Sequence, residues 1–127
     1  MNAFADIGAV LKQYFDALYE CDTGKLARVF HPKAIYATAD EVPLLHRSME
    51  DYLAVVAARQ SPASRGEPRR DTIDAIELAG ANTAFARVQC SIGSRDFVDF
   101  LTLVRADGEW RIMSKVFQII ERAGEAA

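Results

Sequence analysis

Residues 83–120 read TAFARVQCSI-GS-RDFVDFLTLVR-ADG-EWRIMSKVFQII. Apolar side chains recur there at a period of two, the pattern of half-buried strands. Thr83–Ile92, Arg95–Arg105 and Glu109–Ile120 are therefore expected as three long strands. Gly93-Ser94 and Ala106-Asp107-Gly108 connect them and are short enough for antiparallel hairpins. Upstream, Arg70–Leu78 supplies a fourth strand through Ala79-Gly80-Ala81-Asn82.

Further upstream the period changes to 3.6. Phe4, Ile7, Val10, Leu11, Tyr14, Phe15 and Leu18 form one apolar stripe, which predicts a helix over 3–20. Asp22 or Thr23 can cap a short second helix carrying Leu26, Val29 and Phe30, and Pro32 is expected to stop it. Residues 34–39 are a short strand candidate. Ser48 and Asp51 form a near capping box for a third helix with Met49, Tyr52, Leu53 and Val56 on one face. Residues 60–68 hold two prolines and a glycine and are read as a loop. Helices first and a meander second predict an α+β roll, a curved sheet covered on one face by helices.

Turn chemistry sets the register, and register decides which side chains meet. Gly93-Ser94 suits a two-residue turn that pairs Ile92 with Arg95, Val88 with Asp99 and Cys90 with Phe97. A three-residue loop at Ala106-Asp107-Gly108 pairs Arg105 with Glu109 and sets Asp99 directly opposite Lys115. A two-residue Asp107-Gly108 turn is the rival, and it shifts the register and sends Asp99 and Lys115 to opposite faces. With the three-residue loop, Ala84, Ala86, Val88, Cys90, Phe97, Asp99, Leu101, Leu103, Met113, Lys115 and Phe117 share the concave face. Phe85, Arg87, Phe100, Thr102, Trp110, Ile112, Ser114 and Gln118 then share the outer face with Val98 and Val116. That face is too apolar to be left wet, so it is expected to be a homodimer interface.

The length of 127 residues suits a single domain, 1–127, with an ordered core of about 3–121 and a short C-terminal tail. Half the residues are hydrophobic and 26% are charged, a globular balance. Lys plus Arg is 15 and Asp plus Glu is 18, a net charge of −3, which argues against a nucleic-acid binder. No apolar run is long enough for a membrane helix, and the basic start of a signal peptide is missing. Cys21 and Cys90 match no zinc or disulfide spacing, so a reduced cytoplasm is the expected compartment. No metal site, phosphate loop or dinucleotide motif is expected, and no cofactor.

Five segments also carry a resemblance: Phe30-His31-Pro32, Gly66-Glu67-Pro68-Arg69, Asp99-Phe100-Leu101-Thr102-Leu103, Gly108-Glu109-Trp110-Arg111-Ile112 and Lys115-Val116-Phe117. In this order, from about Val10 to Ile120, they resemble the nuclear transport factor 2-like superfamily, the cone-shaped, cystatin-like α+β roll of ketosteroid isomerase and polyketide cyclases. Within it the chain is similar to the "putative lumazine-binding" group. Members of that group often have His after the last Phe, where this chain has Gln118. The resemblance implies a pocket inside the cone with helix 1 across its opening. If the group's name holds, it also implies a planar heterocycle as ligand.

Asp99 and Lys115 are the sharpest pair, two charges on an otherwise apolar face. A buried charge must be paired or hydrogen-bonded. Three roles fit them: a polar anchor in a ligand pocket, a structural ion pair, or catalysis. As an anchor, Lys115 holds a carbonyl or carboxylate and Asp99 accepts a hydrogen bond. As a catalyst, Asp99 is the acid/base of an isomerase, cyclase or dehydratase acting on a carbonyl compound, as the ketosteroid isomerase resemblance implies. An adjacent ammonium works against a strong carboxylate base. Tyr14, Tyr36 and Tyr52 are expected at the pocket mouth, and Cys90, Phe97, Leu101, Met113 and Phe117 in its walls. A third function class is a dimeric interaction subunit with a vestigial pocket. His31 is read as a helix-end residue and His46 as a surface residue.

Overall fold

The computed structural model describes residues 2–122. The C-terminal tail expected after residue 121 lies outside the described residues apart from Arg122.

Helix α1 spans Ala3–Glu20. The Asn2 side chain accepts from the backbone N–H groups of Phe4 and Ala5, satisfying donors that the first turn leaves free. Its buried stripe is Ile7, Leu11, Tyr14, Phe15, Ala17 and Leu18. Phe4, expected on that stripe, lies in the first turn of the helix and is half exposed. Of the two candidate caps for helix α2, Thr23–Val29, Asp22 serves, accepting from the Lys25 N–H at 3.0 Å.

Strand β1, Phe30–Thr38, begins four residues before the expected strand and contains Pro32. Pro32 therefore does not end the helix. It sits where the ladder to the neighbouring strand is broken between Phe30 and Ile35, a place where its missing N–H costs nothing. Strand β2, Leu45–Ser48, was not expected, and it pairs antiparallel with β1. Ser48 then caps helix α3, Met49–Ala58, by accepting from the Asp51 N–H at 3.2 Å. A short 3₁₀ turn at Ala63–Arg65 interrupts the predicted loop.

The meander follows as β3 Thr72–Ala79, β4 Thr83–Ile92, β5 Arg95–Ala106 and β6 Glu109–Glu121. The six strands form one sheet in the order β2-β1-β6-β5-β4-β3, antiparallel except for the β1–β6 pair. Three helices pack on the concave face, so the fold is the expected α+β cone. Its core joins Ile7, Leu11 and Phe15 of α1 to Ala86, Val88, Leu101 and Leu103 of the sheet.

The β4–β5 register is the expected one, with Ile92 opposite Arg95, Val88 opposite Asp99 and Cys90 opposite Phe97. The β5–β6 register is not. Asp107 (φ 53) and Gly108 (φ 78) both take left-handed conformations, so the turn is the two-residue rival and Ala106 faces Glu109. A bulge then intervenes: Leu103 pairs Ile112 and Thr102 pairs Ser114, leaving Met113 as the extra residue. Trp110 and Ile112 are consequently buried in the core rather than on the outer face. Met113, expected in the concave wall, is the part-buried bulge residue.

Candidate functional site

The concave face gathers charge and phenol at one point. Asp99 of β5 and Lys115 of β6 are both buried, with Nζ 3.9 Å from Oδ2. Tyr14 reaches down from α1 and donates its O–H to Asp99 Oδ2 at 2.5 Å. Tyr52 of α3 accepts from Lys115 Nζ at 3.3 Å. The Lys115 ammonium also lies 5.1–5.4 Å from the ring centres of Tyr14, Tyr36, Tyr52 and Phe117. Ring faces attract a cation, and the attraction grows when water is excluded.

One atom is left over. Asp99 Oδ1 is buried and has no hydrogen-bond partner. A buried acceptor of this kind carries an unrecovered desolvation cost of about 1–3 kcal/mol, more when charged.

The electrostatics follow from burial and neighbours. Burial pulls the Lys115 pKa down, but Asp99 first and then Tyr52 and Tyr36 outweigh it, so the amine is held above the usual lysine range and stays charged. Burial, then the Asp99 charge, pushes the Tyr14 phenol well up, so it remains a donor. Burial likewise raises Tyr52, against the opposing pull of Lys115. The Cys90 thiol is pushed up by burial and then by Asp99, which keeps it an unreactive wall residue.

Of the residues singled out from the sequence, Asp99, Lys115, Tyr14, Tyr36, Tyr52 and Phe117 come together here. Tyr36 and Tyr52 stack with centroids 4.3 Å apart, and Phe117 meets Tyr36 at 4.8 Å. Cys90 and Leu101 lie in the same wall, and Phe97 is half-buried against Phe117 at 5.8 Å. The tyrosines are interior residues rather than mouth residues. No described cavity opens onto the pair. The crevice nearest Cys90 measures about 10 Å³.

Two neighbours escaped the sequence reading. Phe30 is buried between Tyr14 and Tyr52, edge-on to both at 5.8 and 5.7 Å. Its apolar spacing placed it at the end of α2, where nothing marked it as a site residue. Thr38 is fully buried and donates to the Phe117 carbonyl at 2.7 Å, tying β1 to β6 beside the aromatic cage. A lone Thr at a strand end carries no such signal. His31 accepts from the Lys33 N–H at 3.0 Å, a local turn contact and not the helix-terminal donor expected.

On the outer face Phe85, Arg87, Phe100, Thr102, Ser114 and Gln118 alternate outward as expected. Phe85 meets Phe100 edge-on at 5.3 Å, and the Arg87 guanidinium lies 5.6 Å from the Phe100 ring centre. Among the described residues no helix is long and apolar enough to cross a membrane.

The family model described as "Putative lumazine-binding" matches residues 2–118. No curated protein matches the chain. Among solved structures, a nuclear transport factor 2-like protein of unknown function from Silicibacter pomeroyi is 27% identical, with a TM-score of 0.79 over 92% of this chain and 95% of that one. A similar protein of unknown function from Shewanella baltica is 22% identical, with a TM-score of 0.81 over 92% and 93% of the two chains. A ketosteroid isomerase-like protein from Erwinia carotovora is 14% identical, with a TM-score of 0.70 over 92% and 95%, a likeness of fold alone. With the cone, its helical cover and this match along nearly its whole length, the chain belongs to the "putative lumazine-binding" family of nuclear transport factor 2-like proteins.

Proposed function

We propose that the protein binds a small molecule inside the cone, anchored by Asp99 and Lys115. The observation that carries this reading is the partnerless Asp99 Oδ1 beside a caged ammonium. A ligand N–H or O–H gives Oδ1 the donor it lacks. A ligand carbonyl or carboxylate takes a hydrogen bond from Lys115. The tyrosine and phenylalanine rings favour a flat body between them. A planar heterocycle with adjacent N–H and C=O groups has this complement, and lumazine, the molecule in the family's description, is one. Entry requires ring displacement, because Asp99 and Lys115 are buried among Tyr14, Tyr36 and Tyr52. Phe97, Leu53 and Ile119 are half-buried and pack against the core.

Asp99 already accepts from Tyr14 and faces an ammonium, contacts suited to an acceptor more than to a proton-abstracting base. Binding is therefore preferred over isomerase, cyclase or dehydratase chemistry.

Calorimetric titration with lumazine tests the reading. Saturable binding is expected, weakened at least tenfold in Asp99→Asn and in Lys115→Met. Binding that is undetectable, or unchanged in both folded variants, overturns it.

The partner proposed for the outer face is a second copy of the chain. Phe100 and Val116 are each 47% exposed and Ile35 is 40% exposed, all on that face. Light scattering should give twice the chain mass, falling to the monomer in Phe100→Asp. A monomeric parent protein removes this part of the proposal.

A further inference from the structure

We propose a second binding site, independent of the cone interior, that takes a flat organic anion in a groove behind helix α1. This groove has a volume of about 510 Å³, and neither Asp99 nor Lys115 lines it. That volume lies within the usual range for small-molecule sites. One wall is the side of α1 that carries Ala9 and Val10, outside its buried stripe. The other is built from the end of α2 and the β5–β6 hairpin, with Val29 and Trp110 facing the groove.

Charge gives the groove its preference. Arg28 of α2, Arg105 of β5 and Arg111 of β6 all line it, and its acids are Asp6 and Glu109. Arg111 is engaged by Glu109 at 2.7 Å. Among the described residues the Arg28 and Arg105 guanidinium groups have no ion pair or hydrogen bond, and they outnumber the remaining Asp6. These cations come from segments far apart in sequence and meet only in the folded chain. A guanidinium is a planar fork that matches the oxygen pair of a carboxylate or phosphate. The Trp110 indole and the Val and Ala side chains suit an aromatic or other flat apolar body. The ligand class that satisfies both is an aromatic carboxylate or an aryl phosphate ester.

Trp110 is the chain's one tryptophan, so its indole N–H is a single resolved reporter in ¹H–¹⁵N spectra. The full chain is titrated with 2-naphthoate, phenyl phosphate, inorganic phosphate and the neutral 2-naphthalenemethanol. A saturable Trp110 shift is expected with 2-naphthoate or phenyl phosphate, and which of the two binds more tightly assigns the head group. Affinity is expected to fall at least tenfold in Arg28→Gln and in Arg105→Gln, and to be retained in Lys12→Gln and in Asp99→Asn. Inorganic phosphate and the neutral alcohol should bind at least tenfold more weakly than the preferred anion. The proposal is overturned by no saturable shift with either aryl anion, or by equal binding of the alcohol or of inorganic phosphate. Indifference to both arginine substitutions, or loss only in Asp99→Asn, also overturns it. The last result moves the ligand into the cone and leaves the interior reading standing.

Discussion

Asp99 and Lys115 share the concave face without being cross-strand partners. Asp99 lies opposite Phe117 and Lys115 opposite Leu101, one step apart on the same side, with their charged atoms at 3.9 Å. Two departures from the simplest register produce this. The two-residue Asp107-Gly108 turn moves the pairing by one residue, which alone would split the pair across the sheet. The bulge at Met113 moves it by one more and brings them back.

Removing the bulge residue should therefore cost far more than changing it. Deletion of Met113 forces either Trp110 and Ile112, or Lys115 and Phe117, to the outer face. Urea unfolding should show a loss of at least ~3 kcal/mol, the scale of breaking a buried ion pair. Met113→Ala, which keeps the backbone count, should stay well below that. Equal losses would mean that the bulge does not set the face.

The buried pair should behave as a unit. Asp99→Asn or Lys115→Met alone leaves one buried group uncompensated, an expected cost of about 3–5 kcal/mol. The double variant Asp99→Asn/Lys115→Met should cost clearly less than the sum of the singles. Strict additivity in denaturant melts would show that the two charges do not interact across 3.9 Å.

Tyr14 and Tyr52 should differ although both are fully buried phenols. Tyr14→Phe removes the hydrogen-bond donor to Asp99 and leaves Oδ2 with only the Lys115 ammonium at 3.9 Å, so about 1.5–3 kcal/mol should be lost. Tyr52→Phe removes a longer contact, 3.3 Å to Lys115, whose ammonium keeps its ring faces. About 1 kcal/mol or less is expected. Thermal melts that rank the two in the opposite order count against the Tyr14–Asp99 contact as the stronger hydrogen bond.

Stability should decline in alkali. Tyr14, Tyr52, Lys115 and Cys90 all hold their protons more tightly in the folded chain than their ordinary values of 10.0, 10.0, 10.5 and 9.0 imply. As pH rises past those values the unfolded chain releases its protons first. The folded state then binds more protons, and unfolding becomes easier with each further unit. The contribution of each group is complete below its unfolded value and is lost progressively above it, at up to about 1.4 kcal/mol per pH unit. The fall should begin near pH 9 and steepen past 10, and Cys90→Ala should remove its first part. A flat unfolding free energy from pH 8 to 11 contradicts this.

Much of the fold was legible in the sequence. The period change after residue 70 marked helices against sheet, and Gly93-Ser94 set the β4–β5 register outright. A type of turn that needs a glycine at positive φ leaves few alternatives. The face of β6 was harder, yet its signal was present. Trp110 and Ile112 alternate in one phase, and Lys115 and Phe117 in the other. Two buried sets out of phase on one strand require an extra residue between them, here Met113. Strand β2 carried no comparable mark, because four polar-leaning residues become a strand only when β1 lies alongside.

Alternation and turn chemistry are local, so the sequence alone determined the three helices, the four strands of the meander, their order and the apolar face that carries Asp99. What a buried charge meets is not local. The Tyr14 donor comes from 85 residues away and the Tyr52 acceptor from 63 away from Lys115. The aromatic cage, the partnerless oxygen and the arginine groove are products of packing between distant segments. Only the tertiary structure decided them, because hydrogen-bond satisfaction depends on distances of a few tenths of an ångström that no sequence period encodes.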